Sequence, residues 1–373
     1  MREWFDNYNI RKYGFFLILC CTAASILGIL LIGSAKEELQ IRQIQGLVIG
    51  LVVMLIISFI DYHFYLKFYW IIYLAAIAML VLVKLFGDSG GGATRWFEIG
   101  SFRFQPSELV KIMLILFYAQ FIMKHKSSLN TFRVIAACVL LILPPFYLII
   151  DQPDLSTSIM ILAIFATTMF VGGLTWKVIL PVIAMAVPAV IVFFNLVTRE
   201  GQTILKEFQQ KRILAWLKPD EYASTEAYQQ INSITAIGSG QLNGKGLNNN
   251  VISSVKNGNF ISEAQTDFIF TIAGEELGFV GCCGIIILLF VIVLQCILIA
   301  ARAKDTAGTV IAGGMAGLIG FQTFINIGVT TMILPDTGLP LPFFSYGLTS
   351  LVSIFIGIGC ALNVGMQAND FLP

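Results

Sequence analysis

Charged residues are scarce in this chain. Asp, Glu, Lys and Arg make up only 12% of it and apolar residues 57%, whereas a soluble domain carries roughly 25% charged residues. With a mean hydropathy of +0.84, this composition excludes a soluble enzyme and a disordered protein. The 23 Lys and Arg nearly balance the 22 Asp and Glu. The chain therefore lacks the positive field that holds a polyanion, and we expect no nucleic-acid partner.

Cysteine and histidine patterns that would hold a metal are also lacking. All seven cysteines lie inside apolar stretches, where a free cysteine usually acts as a small apolar filler. Neither a disulfide framework nor a Cys/His metal site is indicated. The two histidines, His63 and His125, are too far apart in sequence to suggest a shared metal. We predict no resident metal from the sequence pattern.

Long hydrophobic stretches are what the chain has in abundance. Ten of them lie near residues 14–33, 46–62, 66–86, 107–123, 132–150, 155–173, 176–197, 277–300, 307–333 and 346–367. Each reaches or approaches the roughly 20 residues with which a helix crosses a bilayer. We therefore predict an all-α integral membrane protein, a bundle of ten transmembrane helices in one domain over residues 1–373. The first stretch is too long for the core of a signal peptide, which has roughly 7–15 residues.

The basic residues predict the orientation of this bundle. With a cytoplasmic N-terminus, ten of them fall on inner segments: Arg2, Arg11, Lys12, Lys67, Lys124, Lys126, Arg133, Lys177, Arg302 and Lys304. The short outer loops hold four, which are Lys36, Arg42, Arg95 and Arg103. Because cytoplasmic loops carry the excess of Lys and Arg, we expect a multi-pass protein of the cytoplasmic membrane with both termini in the cytoplasm.

A long polar segment separates the seventh and eighth stretches. It covers residues 198–265 and lies outside the membrane on the extracytoplasmic side in this topology. Its first part, through Tyr228, tolerates helix, and its middle, from Gly238 to Asn259, is rich in Gly and Asn and predicts turns. So long a segment is either a flexible linker or functional. We favour function because it leads directly into the most polar motif of the chain.

A first polar cluster follows the third stretch. Polar side chains at membrane depth are costly and usually face a bundle interior or a water-filled cavity. Arg95, Arg103 and Lys111 fall within 17 residues there, and such cations can bind a pyrophosphate through charge-assisted hydrogen bonds. Glu108 and Lys111, at positions i and i+3, share one face of a helix. The alternative is snorkelling at the interface with one structural ion pair.

A second cluster lies where the fifth stretch ends and the sixth begins. Asp151 and Asp154 flank Pro153 there. Asp154 suits the positive end of a helix dipole, so a charged helix start is one interpretation. The other is an acidic group at the outer mouth of a cavity.

A third cluster begins the eighth stretch. Asp267 is followed by the apolar Phe268 and Ile269, and a carboxylate that is partly removed from water makes a better base. Glu275 and Glu276 come two turns later, and we expect at least one of them to point into the bundle. The alternative role for Asp267 is a helix cap.

A fourth cluster is the proline-rich segment from Pro335 to Gly347. Its prolines and glycines prevent a helix, and such irregular backbone is tolerated where it lines a cavity. Ser345 and Tyr346 are candidate hydroxyl contacts, and a stiff connector is the alternative. For Asn326, in the ninth stretch, we expect an interhelical hydrogen bond rather than a contact with a ligand. All four clusters fall on the outer side in this topology, which predicts one cavity that opens outward.

Five motifs, taken in order, resemble the SEDS family (shape, elongation, division and sporulation). They are Arg95-Trp96, Phe104-Gln105-Pro106-Ser107-Glu108-Leu109-Val110-Lys111, Gln152-Pro153-Asp154-Leu155, Thr266-Asp267-Phe268-Ile269-Phe270 with Gly274-Glu275-Glu276-Leu277-Gly278, and Pro342-Phe343-Phe344-Ser345-Tyr346-Gly347. The resemblance covers nearly the whole chain. The residues of these motifs are more similar to the RodA branch than to FtsW or the sporulation branch. Ser156, Gln265 and Leu348 depart from the usual pattern of the family, whereas its charged residues are all present.

The resemblance implies a peptidoglycan glycosyltransferase of the bacterial cytoplasmic membrane. Such an enzyme polymerises lipid II for cell elongation and shape, releases undecaprenyl pyrophosphate and works with a class B penicillin-binding protein in the elongation complex. It implies that Asp267 is the general base on the acceptor hydroxyl, and it leaves open assistance by a divalent cation, Mg²⁺ or Mn²⁺. The substrate-binding residues that the motifs and clusters suggest are Arg95, Trp96, Arg103, Glu108, Lys111, Asp154, Thr266, Glu275, Glu276, Ser345 and Tyr346. The alternatives are an FtsW- or sporulation-type enzyme, a flippase for the same precursor, and a scaffold that only recruits the penicillin-binding protein.

Overall fold

The structure is a computed structural model that describes residues 12–90, 93–99, 102–199, 201–202, 205–248, 258, 260–262 and 264–368. Its helices are α1 (Phe15–Ala35), α2 (Glu37–Ser58), the short α3 (Tyr62–Leu66), α4 (Tyr69–Phe86), α5 (Pro106–Lys124), α6 (Phe132–Asp151), α7 (Leu155–Val171), α8 (Trp176–Val197), α9 (Glu207–Leu217), α10 (Tyr228–Ser239), α11 (Ile269–Arg302), α12 (Thr306–Thr330) and α13 (Leu348–Met366). The predicted basic residues Arg2 and Arg11 lie outside the described residues.

The predicted bundle of membrane helices is confirmed. Within the described ranges, nine helices are long and apolar enough to cross a membrane, and α7, with 17 residues, is a shorter apolar helix. These ten helices correspond to the ten predicted stretches. The chain is therefore a helical, multi-pass membrane protein.

Two of the predicted boundaries were wrong. The second helix begins at Glu37 rather than near residue 46, because Glu37 and Glu38 occupy its first turn, where acidic side chains suit the helix dipole. The eighth begins at Ile269 rather than near residue 277. It contains a break at Gly278, whose φ of 66° is left-handed. There the amides of Phe279 and Val280 donate to the carbonyls of Gln241 and Leu242, so the long segment replaces part of the helical bonding.

A small β-structure interrupts the helices between α4 and α5. Strands β1 (Asp88–Gly90), β2 (Ala93–Ile99) and β3 (Phe102–Phe104) pair in antiparallel order β1-β2-β3. Thr349 at the start of α13 holds β3, because its hydroxyl donates to the carbonyl of Arg103 at 3.1 Å. The sheet therefore fixes the first polar cluster against the mouth of the bundle.

Three helices form most of the interior, and one lies at the periphery. α5, α12 and α13 bury most of their side chains, whereas α8 buries only Val197. α13 packs against α2, and α12 packs against α11, α7 and α5. The close approach of α2 and α13 requires a glycine at 359, where a Cβ would stand 2.8 Å from the carbonyl oxygen of Met54.

The long segment after α8 is ordered where the structure describes it. It contains α9, a 3₁₀ turn (Pro219–Tyr222) and α10, followed by turns over residues 240–248. Trp216 of α9 donates its indole N–H to the carbonyl of Met332 at 3.2 Å. Gln230 of α10 donates to the carbonyls of Val329 and Leu334, both at 2.9 Å. Both helices thus pack onto the end of α12 and the segment that follows it.

Candidate functional site

Residues 331–347, which we call the proline loop, lie at the centre of the candidate site. The loop connects α12 to α13 and contains Pro335, Pro340 and Pro342, so it cannot continue either helix. It contacts residues 265–267, the start of α7, the buried face of α12 and the long segment. Because it is shared by these elements, it brings together clusters that are far apart in sequence.

Asp267 lies against the proline loop. Its side chain is half-buried and precedes α11 by one residue, Phe268. A Cβ built on Gly338 would stand 3.2 Å from Asp267 Oδ2, and Gly338 has a φ of +74°, which favours glycine. The glycine therefore serves two needs, the turn and the space beside the carboxylate.

Main-chain contacts fix the segment that carries Asp267. The Ser345 hydroxyl donates to the carbonyl of Thr266 at 2.5 Å and accepts from the amide of Leu341 at 2.7 Å. The amide of Tyr346 donates to the carbonyl of Gln265 at 2.9 Å. The predicted residues Thr266, Ser345 and Tyr346 thus lie together beside Asp267, and the contacts that join them involve backbone atoms.

Glu108 and Lys111 form a buried ion pair in the first two turns of α5. Lys111 Nζ lies 2.8 Å from Glu108 Oε1, and the two side chains are only 1% and 4% exposed. Lys111 also donates to Gln322 Oε1 on α12 at 3.2 Å. Removing one partner of such a pair leaves an uncompensated buried charge. A substitution of either residue alone should therefore destabilise the protein.

Arg95 and Asp154 meet at the start of α7. The Asp154 carboxylate accepts from the amide of Thr157 at 3.0 Å, so it caps the helix, and its Oδ2 lies 3.8 Å from Arg95 Nη1. Arg95 also donates to the carbonyls of Gln152 and Pro153. The helix-cap interpretation of Asp154 is therefore confirmed, and the same carboxylate also faces the cation Arg95. Its place at the mouth of a cavity stays a prediction.

The start of α7 is joined to the proline loop. The hydroxyl of Ser156, two residues after Asp154, donates to the carbonyl of Thr337. Thr337 precedes Gly338, which lies beside Asp267. The second, third and fourth clusters thus meet at two consecutive residues of the proline loop, Thr337 and Gly338.

The three predicted cations do not form one pocket. Arg103 extends from β3 with its side chain 72% exposed and pairs with Glu98 of β2 at 2.7 Å. Lys111 points into the bundle, whereas Arg95 is 28% exposed and engages the start of α7. Trp96, in β2, is half-buried and pairs in register with Asp88. Strand geometry directs Arg103 and Arg95 differently from the helical Lys111.

Glu275 and Glu276 fasten the long segment to α11. Both are nearly fully buried. Lys245 Nζ lies 2.7 Å from Glu275 Oε1, and the amides of Lys245 and Gly246 donate to the carbonyls of Glu275 and Glu276. The hydroxyl of Ser34 on α1 donates to the Glu276 carboxylate. At least one of the two was predicted to point into the bundle, and Glu276 does so by contacting α1. Glu275 is buried against the long segment.

The chain matches a known protein family over nearly its whole length. A family model described as "Cell cycle protein" (FtsW/RodA/SpoVE) matches residues 9–370. The chain belongs to this family. It is the SEDS family that the five motifs predicted.

Relatives within the family cover nearly the whole chain. The chain is 34% identical over 352 residues to the peptidoglycan glycosyltransferase MrdB of Escherichia coli (strain K12). The alignment covers 93% of this chain and 92% of that protein. It is 30% identical over 373 residues to a probable peptidoglycan glycosyltransferase FtsW of Geobacter metallireducens, covering 96% of each.

Solved structures of this fold give the same result. A chain from a study of the structural coordination of polymerization and crosslinking by a peptidoglycan synthase complex matches with a TM-score of 0.78 and 29% identity, covering 95% of this chain and 97% of that one. The rod shape determining protein RodA of Thermus thermophilus matches with a TM-score of 0.69 and 27% identity, covering 96% and 98%.

Sequence reasoning missed two amides that hold the proline loop of this family member. Gln43 of α2, fully buried, donates to the carbonyl of Ser345 at 3.2 Å and accepts from the amide of Gly347 at 3.3 Å. Gln322 of α12 donates to the carbonyl of Pro340 at 2.9 Å. Asn326 was expected to bond between helices, but its partners are the carbonyls of Asp267 and Leu339. The sequence feature that could have identified these residues is a single amide side chain within an otherwise apolar helix.

No cluster of protein metal ligands is seen in the part of the chain that the structure describes, because no three His, Cys, Asp or Glu side chains are arranged there as metal ligands would be. The charged groups of the candidate site are the half-buried carboxylate of Asp267, the partly exposed guanidinium of Arg95 and the buried pair Glu108–Lys111.

Proposed function

We propose that this protein is a peptidoglycan glycosyltransferase that polymerises lipid II into glycan strands. The observation that carries the proposal is the half-buried carboxylate of Asp267 beside Gly338 of the proline loop. The curated relatives, which align over nearly their whole length, are named for this activity. The chain is therefore a transferase, and its substrate is a lipid-linked saccharide.

Asp267 is the general base in this proposal. The carboxylate takes the proton from the 4-hydroxyl of the acceptor sugar as that oxygen attacks the anomeric carbon of the donor. The bond between that carbon and the pyrophosphate oxygen breaks with inversion, which gives a β-1,4 link and releases undecaprenyl pyrophosphate. A positioned base of this kind contributes about 10²–10⁴ in rate.

Arg95 and Lys111 are the proposed contacts for the leaving pyrophosphate. Arg95 is partly exposed, and its guanidinium group can bind two phosphate oxygens at once. Lys111 is buried against Glu108 and Gln322. It contacts the pyrophosphate in this proposal once the lipid headgroup lies beside the Glu108–Lys111 pair. We keep Trp96, Arg103, Glu108, Asp154, Thr266, Glu275, Glu276, Ser345 and Tyr346 as proposed substrate-binding or supporting residues.

The partner and the location follow from the same proposal. The solved chain with the TM-score of 0.78 comes from a study of how polymerization and crosslinking are coordinated. We propose that a class B penicillin-binding protein in the bacterial cytoplasmic membrane supplies the crosslinking for this chain. The higher identity to MrdB than to FtsW, 34% against 30%, supports the elongation branch. Both termini lie in the cytoplasm in this proposal.

A lipid flippase is the alternative that the same residues could serve. Transport sites lie near the midplane of the bilayer. In this chain, the ionisable residues of the motifs in α5 and α11 lie near the starts of these helices. Glu108 and Lys111 are in the first two turns of α5, and Glu275 and Glu276 are in the second turn of α11. This placement at one mouth of the bundle favours chemistry there over passage through the membrane.

Polymerisation of purified lipid II tests the proposal. The purified full chain, with and without a class B penicillin-binding protein, is given lipid II, and glycan products are separated on a gel. We expect strands from the wild type and a loss of at least 10²-fold in rate for Asp267→Asn. Asp220→Asn, an exposed carboxylate in the Pro219–Tyr222 turn, is the matched control and should keep its rate. Normal polymerisation by Asp267→Asn would remove the assignment.

A further inference from the structure

Two buried amides occupy one face of α12. Gln322 is fully buried and Asn326 is 1% exposed. They are four residues apart, so they lie one above the other on the same side of the helix. This face is turned toward Lys111 of α5 and toward the proline loop.

Asn326 fixes both sides of the space that Asp267 occupies. Its Nδ2 donates to the carbonyl of Asp267 itself at 2.8 Å and to the carbonyl of Leu339 at 2.7 Å. Leu339 follows Gly338, the residue that lies against the Asp267 carboxylate. A single amide thus sets the distance between the segment that carries the base and the loop that faces it.

Gln322 joins the buried ion pair to the next residue of the same loop. Its Oε1 accepts from Lys111 Nζ at 3.2 Å, and its Nε2 donates to the carbonyl of Pro340 at 2.9 Å. Leu339 and Pro340 are consecutive, so the two amides hold adjacent peptides. The side chain of Gln322 therefore connects the ion pair directly to the loop beside Asp267.

Two acceptors of this network have no hydrogen-bond partner in the described part of the chain. They are Asn326 Oδ1 and Glu108 Oε2, and both are buried. A buried acceptor left unused costs stability.

We propose that Gln322 and Asn326 are positioning residues of the glycosyl transfer step. They hold the base Asp267 and the ion pair Glu108–Lys111 in a fixed relation through the peptides of Leu339 and Pro340. This inference rests on the proposed function. It predicts that removing either amide lowers kcat while leaving KM nearly unchanged, because the substrate still binds while the base is misplaced.

The experiment uses Asn326→Leu and Gln322→Leu in the full chain, which keep side-chain volume and remove the amides. Initial rates of lipid II polymerisation are measured against lipid II concentration, together with the midpoint of thermal unfolding. Gln120→Leu on α5 is the matched control, because Gln120 is another amide with a buried oxygen that lacks a partner in the described chain. We expect kcat about 10- to 100-fold below that of the control, with KM within about twofold.

A second variant keeps the test decisive if a leucine variant does not fold. Gln322→Glu is isosteric and still accepts from Lys111, but it has no N–H for the Pro340 carbonyl, so kcat should fall at least about tenfold. The inference is overturned if these variants keep kcat within about twofold of Gln120→Leu, or if kcat falls only as far as the folded fraction does. An inactive wild type, or an active Asp267→Asn, would overturn the proposed function instead.

Discussion

At the scale of single residues, Gly338 allows the backbone turn beside Asp267 and leaves space for its carboxylate. Gly338→Ala must adopt a left-handed φ of +74° and place a Cβ 3.2 Å from Asp267 Oδ2. An L-residue in this conformation costs roughly 1–2 kcal/mol, and a carboxylate displaced by even part of an ångström is a poorer base. We expect at least about a tenfold loss of lipid II polymerisation rate.

The matched control is Gly238→Ala on α10. A Cβ there has nothing within 4 Å, and alanine is preferred to glycine in a helix by about 1 kcal/mol. Its rate should equal that of the wild type and its unfolding temperature should be unchanged or raised. Equal rates for the two alanine variants would contradict the role given to Gly338.

His63 lies between two carboxylates outside the membrane-spanning helices. Its Nδ1 is 2.8 Å from Asp61 Oδ1, and its Nε2 is 2.7 Å from Asp305 Oδ2. The hydrogen bond that His63 donates to the Asp305 carboxylate is the main reason that the pKa of His63 lies above its usual value, and Asp61 adds to this. Burial raises the pKa of Asp305 and of Asp61, but hydrogen bonds from His63, Gly308 and Gln367 outweigh burial and lower both.

The sign of the pH dependence follows from these directions. Because the pKa of His63 is raised on folding, its contribution to stability is fully present below about pH 6.5 and is lost as pH rises through the folded pKa. The two lowered carboxylates contribute above about pH 3.8 and lose their contribution as pH falls through their folded pKa. This ion cluster therefore stabilises most between these limits.

Thermal unfolding of the full chain tests this pH dependence. Between pH 6 and pH 9 we expect His63→Gln to remove part of the decline in unfolding temperature, on the order of 2 °C, since the groups are partly exposed. His125→Gln, which alters the other histidine of the chain, is the control. Identical pH profiles for the wild type and His63→Gln would exclude the cluster as the source.

The residue scale also shows where sequence reasoning reaches its limit. The motifs identified Asp267, Asp154, Glu108 and Lys111, because charged residues at membrane depth are rare and therefore conspicuous. They could not show that Lys111 turns inward while Arg103 turns outward. That difference depends on the pairing of β2 with β3 and on the start of α5, and both are tertiary features. For the same reason Gln43 and Gln322 were missed, since their partners are backbone atoms of a distant loop.

At the scale of elements, hydropathy was enough to predict ten membrane helices but not their polar extensions. The first turn of α2 is polar, and Glu275 and Glu276 interrupt the start of α11 before its long apolar run. Both helix starts lay outside the predicted stretches, because polar residues weaken the apolar signal. These extensions are where the site is built. Gln43 lies in the extended part of α2, and Asp267 lies two residues before α11 begins.

The contact of α1 with the proline loop gives a prediction at this scale. A Cβ on Gly28 would lie 2.6 Å from the Cα of Phe344 and 2.7 Å from the carbonyl oxygen of Phe343. Because these are backbone atoms, Gly28→Val must separate α1 from the loop. We expect about 1–3 kcal/mol of destabilisation and a lower rate of polymerisation.

Gly284→Val on α11 is the control for this change. A Cβ at Gly284 has nothing within 4 Å, so the same substitution should leave the unfolding temperature nearly unchanged. A Gly28→Val protein as stable and as active as Gly284→Val would show that the loop does not depend on α1.

At the scale of the whole molecule, the proposed orientation places the long segment and the proline loop on the extracytoplasmic side. Arg212 of α9 lies 3.8 Å from Asp336 of the proline loop, so the two must share one side of the membrane. Single cysteines at the exposed positions Glu221 and Ser127 test this, in a chain whose natural cysteines are replaced. A membrane-impermeant thiol reagent should label Glu221→Cys in intact cells and Ser127→Cys only after permeabilisation. The reverse labelling pattern would invert the topology.

The central claim is that Asp267 acts as a base at the mouth formed by the proline loop. Its most direct test is the pH dependence of kcat for lipid II polymerisation by the wild type, Asp267→Glu and Asp267→Asn, each with its partner transpeptidase. A base works only when ionised, so kcat of the wild type should fall on the acid side, that limb should move in Asp267→Glu, and it should be absent from the residual activity of Asp267→Asn. An unchanged acid limb in Asp267→Asn would contradict the account.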